Sequence, residues 1–526
     1  MSDYYQEKYR PQFHFSPEKN WMNDPNGMFY YEGEYHLFYQ HNPFGNIWGH
    51  MSWGHAVSPD LIHWKHLPLA LIEENGIMIF SGCAVVDWNN SSGFGRDEKP
   101  PIVAIYTGRV NETDIQFQCI AYSNNKGRTF TKYALNPVIN LNSQNFRDPK
   151  VFWYEPEEKW VMIVSLPDKR KVQLYESTNL IDWSLMSDFG SVGSIKGIWE
   201  CPDLFPLFVD DNKNNEKWVL TVNVISNSIS GGSGAQYFIG IFDGQKFILD
   251  QDYHKSIVMV GNKNGIVAEI VDNRNMCKCG NIGSPPRQSS LENALWVDYG
   301  HDFYAPVTWS DIPKDDGRKL WLGWMSNWDY AQDVPTSPWR SSMSIPRELK
   351  LKNTENGIRL FQTPVKEFKN QRINNIELYG NISSINKELK QKKFPGAIEL
   401  LTEININHNQ SFGLSVLKGK EEETKILFNG SKKTIGIDRS KSGEIGFNNL
   451  FSKRELHYAP LKINGQIKLH IFIDANSIEL FVNDGKLVFT DLVFHSEHST
   501  SIEFFGAEES IEILKLNLWS IKSIWD

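Results

Sequence analysis

The heptapeptide Ser58-Pro59-Asp60-Leu61-Ile62-His63-Trp64 returns 119 residues later as Ser177-Thr178-Asn179-Leu180-Ile181-Asp182-Trp183. A weaker copy, Ser123 to Phe130, lies midway, so the implied period is roughly 60 residues. Up to about residue 350 the chain is a series of short β-type runs separated by Gly, Pro, Asn and Asp. Glu34 to Tyr39, Lys159 to Val164, Lys217 to Val222 and Lys319 to Trp324 are such runs, and no long amphipathic helix interrupts them. A repeat of this length accommodates four strands plus long loops, the content of one propeller blade. About 300 residues at that period make about five blades.

A second β unit follows. Ile467 to Phe494 alternates, and its Asn483-Asp484-Gly485 turn between β-branched and aromatic runs is a hairpin signal. Repeated short strands with such turns fit a sandwich. The expected architecture is all-β: a five-bladed β-propeller over residues 1–350, a linker over 351–378 and a β-sandwich over 379–526. Residues 256–293 break the rhythm with Cys277-Lys278-Cys279 and Pro285-Pro286, and read as a long surface loop.

A net charge of -9 and a pI near 5.9 argue against a nucleic-acid partner, which wants a basic face. Five cysteines in 526 residues make no disulfide framework. The Cys277/Cys279 pair has no partner pair at zinc spacing, and the histidines between His36 and His66 lack a helical HExxH pattern. Neither a metal nor a cofactor is expected. No stretch reaches transmembrane length. Met1 to Pro11 is polar and has no signal-peptide apolar run. The expectation is a protein inside the cell, or one outside it whose leader has been removed.

Three carboxylates stand in marked settings: Asp24 in Trp21-Met22-Asn23-Asp24-Pro25-Asn26-Gly27, Asp148 in Phe146-Arg147-Asp148-Pro149, and Glu200 in Trp199-Glu200-Cys201-Pro202. Each lies one or two residues before a proline, which fixes its own φ and pushes its predecessor toward extended geometry. Each falls near the start of a different blade, where first strands line the central channel, so acids remote in sequence can converge there. Cleavage of a glycosidic bond needs one carboxylate as nucleophile and one carboxylic acid as proton donor. Taken singly, Asp24 is a turn former, Arg147-Asp148 a structural ion pair and Glu200 anonymous. Only the joint pattern carries the chemistry.

These blocks, with Phe80-Ser81-Gly82 and Trp324-Met325-Ser326-Asn327-Trp328, resemble glycoside hydrolase family 32, the invertases, levanases and exo-inulinases. The resemblance covers nearly the whole chain and implies a five-bladed propeller followed by a sandwich. It implies that Asp24 attacks the anomeric carbon of a terminal fructosyl unit. Glu200 acts as general acid and then as the base that activates water, and Asp148, beside Arg147, holds fructose hydroxyls and stabilises the transition state. Asn23, Gln40, Trp48, Phe80, Ser81 and Trp328 align with residues that shape the fructose pocket. Neighbouring acids should raise the Glu200 pKa, while Arg147 should keep Asp148 ionised. Cys83 stands where many relatives carry a small hydroxyl residue.

Ile79 to Asp87, Asp302 to Ala305, Trp328 to Ala331 and Ser344 to Leu349 look more like levanases and exo-inulinases. The favoured reading is a retaining, exo-acting fructan β-fructosidase that also cleaves sucrose. An invertase is the near alternative, and a fructosyltransferase shares the same intermediate. A non-enzymatic fructan-binding homologue predicts loss of an acid, and all three are present.

Overall fold

The computed structural model describes residues 4–251, 294–394, 396–407, 409–453, 456–463, 465–506 and 511–525. The expected loop at 256–293, with Cys277 and Cys279, lies outside the described residues.

The chain forms five antiparallel sheets and then two more. The first sheet runs outward through Asn20–Tyr31, Glu34–Asn42, Ser52–Ser58 and Lys65–Leu71. The next four begin with Ile77–Val86, Arg147–Tyr154, Trp199–Phe208 and Tyr304–Thr308, each the innermost strand of its blade. Middle strands such as Lys159–Leu166 are buried at every residue, because neighbouring blades cover both faces. That is why they read as continuous apolar runs rather than alternating ones. Each fully buried aliphatic side chain contributes about 1.5–3 kcal/mol.

The ring closes on blade one. Trp339–Arg340 pairs in parallel with Asn20 and Trp21, and Ser310 pairs with Phe29. The repeated heptapeptide is the turn between the third and fourth strands of a blade. Asp60 Oδ1 accepts from the backbone N–H groups of Ile62 and His63 at 3.0 and 2.9 Å. Asn179 Oδ1 accepts from Ile181 and Asp182 at 3.0 and 2.8 Å. In the weaker copy, Asn125 Oδ1 accepts from Thr129.

The stretch expected to be a linker, 351–378, is structured. Arg347–Thr354 and Gly357–Pro364 form the outer hairpin of the fifth blade, and Arg372–Asn381 already belongs to the sandwich. The alternation along Arg347–Thr354 marks a strand with one buried face, whereas Gly357–Pro364 buries Arg359 to Gln362 in succession.

The sandwich packs a six-stranded sheet on a five-stranded one, with Leu400, Leu414, Ile437, Ile471 and Leu480 fully buried between them. It meets the propeller through buried ions. Arg347 donates to Asp298 and to Glu479 at 3.1 and 2.6 Å. His14 bridges Asp474 and Glu479 at 2.8 and 2.9 Å, and Arg439 donates to Asp302 at 2.7 Å.

Candidate active site

Every innermost strand carries a bulge near its N-terminal end. Met22 to Pro25 takes three steps against two from His41 to Tyr39. The same three-against-two count recurs at Ile79–Gly82, Arg147–Lys150, Glu200–Asp203 and Tyr304–Val307. Such an extra residue bends the strand and re-aims its side chains. The residues involved are Asn23-Asp24, Phe80-Ser81, Arg147-Asp148, Glu200-Cys201 and Tyr304-Ala305. In four of the five the next residue is proline (Pro25, Pro149, Pro202, Pro306), and Gly82 takes its place in the second blade. Proline has no N–H to lose where the ladder is broken.

Asp148, Cys201 and Ala305 adopt φ values of 66°, 44° and 51°, sparsely populated for side-chain-bearing residues. That turn aims each N–H sideways. Asp148 N–H donates to Thr107 Oγ1 in the second blade, Cys201 N–H to Asp148 Oδ2, and Ala305 N–H to Asn223 Oδ1 in the fourth, at 3.0, 2.9 and 2.9 Å. The bulges therefore tie blades two to five together around the channel mouth.

All ten residues expected at the site line one cavity of ≈ 470 Å³: Asn23, Asp24, Gln40, Trp48, Phe80, Ser81, Arg147, Asp148, Glu200 and Trp328. Asp24 Oδ2 accepts from Ser81 Oγ at 2.7 Å and lies 3.5 Å from Cys201 Sγ. Asp24 Oδ1 is buried and has no hydrogen-bond partner among the described residues. Asn23 Oδ1 accepts from Trp21 Nε1 at 2.7 Å. The Trp48 and Phe80 rings meet edge to face at 6.0 Å, and Trp328 stacks on Trp21. Gln40 Nε2 and Trp328 Nε1 are buried donors without a protein acceptor among the described residues.

The charges are arranged differently from expectation. Arg147 does not sit on its neighbour Asp148. Its Nε and Nη2 donate to Glu200 Oε1 at 3.0 and 2.7 Å, while Asp148 Oδ2 is 4.0 Å away. Burial pushes Asp148 up to about 7; Arg147 opposes this, and the charges of Glu200 and Asp24 add to it. Burial also raises Asp24, against the hydrogen bond from Ser81 and with the charge of Glu200. Arg147 thus leaves Asp148 short of a full ion pair. Burial, then the three carboxylates, push the Cys201 thiol well above its ordinary value. It therefore stays a neutral S–H between Asp24 and Asp148.

Other residues at the site were not anticipated. Tyr304 donates its hydroxyl to Glu200 Oε2. Gln116 Oε1 accepts from Arg147 Nη1 at 3.2 Å. Arg109, Asp114, Gln144, Asn145 and Ile225 complete the rim. Cys83, buried below, accepts from Val151 N–H at 3.1 Å, the bond a hydroxyl would make there.

Residues 14–364 match the Glycosyl hydrolases family 32 N-terminal domain, and residues 365–520 the Glycosyl hydrolases family 32 C terminal. The chain is 47% identical to a levanase of Bacillus subtilis (strain 168), over 100% of this chain and 72% of that protein. The crystal structure of exo-inulinase from Aspergillus awamori superposes with a TM-score of 0.83 at 34% identity, over 99% of this chain and 100% of that one. A beta-fructofuranosidase from Schwanniomyces occidentalis, complexed with fructosyl-erythritol, superposes with a TM-score of 0.83 at 31% identity over 99% of each chain. Two matched domains that span residues 14–520, and a levanase relative aligned over the full chain, carry the assignment: the protein is a glycoside hydrolase of family 32.

Proposed function

We propose that the protein removes terminal, non-reducing β-D-fructofuranosyl units from fructans and from sucrose, with retention of configuration. The carrying observation is a cavity whose wall holds Asp24 Oδ1, a buried carboxylate oxygen that accepts no hydrogen bond from the described residues. A nucleophile needs a free lone pair aimed at the anomeric carbon. Ser81 and Cys201 hold the other oxygen and fix the carboxylate plane.

Burial raises both Asp24 and Asp148, the latter to about 7, so the acids around Arg147 retain a proton near neutral pH. That proton serves the leaving oxygen. Glu200, held by Arg147 and Tyr304, passes it to the glycosidic oxygen as the C–O bond breaks and Asp24 bonds to the fructosyl carbon. Glu200 then takes a proton from water, which attacks the same carbon and frees Asp24. Asp148 accepts from fructose hydroxyls. Gln40 Nε2 and Trp328 Nε1, which find no acceptor among the described residues, supply donors to the sugar.

Below this cavity, residues of the third, fourth and fifth blades bond to one another between it and the opposite end of the propeller. Lys150 donates to the Thr308 carbonyl, and Asp203 Oδ2 accepts from Thr308 N–H and Oγ1 at 2.7 and 2.8 Å. A pocket of ≈ 470 Å³ that bottoms on this cluster suits a single terminal unit, which supports exo action. The levanase and exo-inulinase relatives favour polymer over sucrose alone.

The test compares products from sucrose, inulin and levan. Fructose alone from each is the expected result, and short oligomers from either polymer refute exo action. With methanol present, transfer should yield methyl β-fructofuranoside. Asp24→Asn and Glu200→Gln should lower kcat by several orders of magnitude with melting intact; general acid–base assistance alone is typically about 10²–10⁴. Native turnover in either variant defeats the assignment.

A further inference from the structure

Beyond the Lys150–Asp203–Thr308 cluster, the propeller opens again at its opposite end into a cavity of ≈ 1320 Å³. It shares no lining residue with the catalytic cavity. Its walls mix rings with charges of both signs. Lys150 and Lys319 face Asp203 and Asp311, and the other lining cations and acids nearly balance. An anionic ligand would need an excess of cations and a cationic ligand an excess of acids. Balanced, fixed donors and acceptors suit a neutral ligand rich in hydroxyls.

Trp88 stands at the rim and is 59% exposed, an unusual setting for an indole. It is not loose. Its Nε1 donates to Asp311 Oδ1 at 2.9 Å, and Asp311 Oδ2 accepts from Val86 N–H at 2.9 Å. Tyr31 packs against it with centroids 5.7 Å apart. The anchoring holds the ring by its polar edge while much of its surface stays open to solvent. In the same cavity, the Lys319 ammonium has no hydrogen-bond acceptor among the described residues and lies 5.9 Å from the centroid of the Phe205 ring. A pinned, open ring in one cavity with an unused donor and a fixed carboxylate is what a sugar recognises, since its C–H face is apolar and its rim is hydroxyls.

We propose that this second cavity is a saccharide-binding site that holds an inner stretch of the fructan whose ends are cut at the other mouth. The proposal rests on the fructan reading above. A furanosyl unit lies on Trp88, with its hydroxyls between Lys319 and Asp311. Because that cluster lies between the two cavities, the site feeds nothing to Asp24 directly. It keeps the polymer attached, so that chain ends reach the catalytic cavity at raised effective concentration.

The test uses the full-length Asp24→Asn variant, which binds polymer without consuming it. Its migration is measured in native gels that contain levan, inulin or dextran. Fructan should retard it and dextran should not. Adding Trp88→Ala should weaken the fructan interaction about fivefold, within the range for one aromatic contact. In the otherwise native enzyme, Trp88→Ala should raise KM on levan or inulin by a similar factor and leave kcat/KM on sucrose unchanged. Lys319→Gln provides a second variant that spares the ring and should act in the same direction. Equal retardation with and without Trp88, retardation by dextran as strong as by fructan, or unchanged polymer KM in both variants overturns the proposal. If the native enzyme releases no fructose from any substrate, the proposed function fails instead. If it does release fructose and only the Trp88 and Lys319 effects are missing, the second site alone falls.

Discussion

Asp148 is the residue whose environment works against the folded state. Buried beside two other acids, it has a pKa of about 7, against about 3.9 for an unfolded aspartate. The folded chain binds the extra proton across that window. The associated stability is fully present below about pH 4 and is lost as pH rises through about 7. Asp148→Asn removes this titration yet keeps an acceptor for Cys201 N–H. The variant should therefore melt above the native protein at pH 8, the gap closing toward pH 4, while turnover falls by orders of magnitude. A variant that melts lower at pH 8 contradicts this account. The acids were legible in the sequence because prolines flag their bulges. Tyr304 obeyed the same rule through Ala305-Pro306, but an aromatic in a β run reads first as core. The pairing of Arg147 with Asp148 misled for a geometric reason. Consecutive residues on a bulged strand point in different directions, so the guanidinium reaches across to Glu200 in the next blade. Arg109, Gln116 and Asn145 carry no local mark, since nothing near them in the chain records which side of a blade faces the cavity.

The turn is the element that made the propeller readable. One side-chain oxygen satisfies two backbone N–H groups at Asp60 and again at Asn179. Asp60→Ala and Asn179→Ala should each cost about 1–2 kcal/mol, as loss of a helix cap does. The turns lie in different blades, so the double variant should show the sum to within about 0.5 kcal/mol. Urea unfolding measures both, and a strongly sub-additive double variant contradicts the picture of independent turns. A further copy sits in the fourth blade, where Asp243 Oδ1 accepts from Gln245 and Lys246 at 3.0 and 2.8 Å. It escaped notice because the leading serine is absent and Gly244, at φ 91°, stands where Leu61 and Leu180 adopt φ of 67° and 63°. The backbone shape recurs while the letters change. The fifth blade's outer hairpin reads as linker for a related reason: Arg347–Thr354 buries only alternate residues, so its apolar residues look sparse.

At the scale of the whole molecule, the two β units were legible but their junction was not. His14 and Arg347 are both fully buried between the domains. No local pattern announces a buried ion, because its partners, Asp474 and Glu479, lie more than a hundred residues away in sequence. Burial pulls the His14 pKa down, but its hydrogen bonds to Asp474 and Glu479 outweigh this and hold it up at about 9, against 6.5 unfolded. His14 is thus a cation at neutral pH. Its contribution is complete below about pH 6.5 and is lost as pH rises through about 9. His14→Ala leaves Glu479 with Arg347 and Asp474 with backbone N–H donors but no cation, and removing one partner from such a cluster costs about 3–5 kcal/mol. The variant should melt well below the native protein at pH 7. Between pH 7 and 10 the native protein should lose stability that the variant no longer has to lose, so their melting curves converge. Parallel curves across that range would mean that His14 is neutral at the junction and that shape, not charge, joins the propeller to the sandwich.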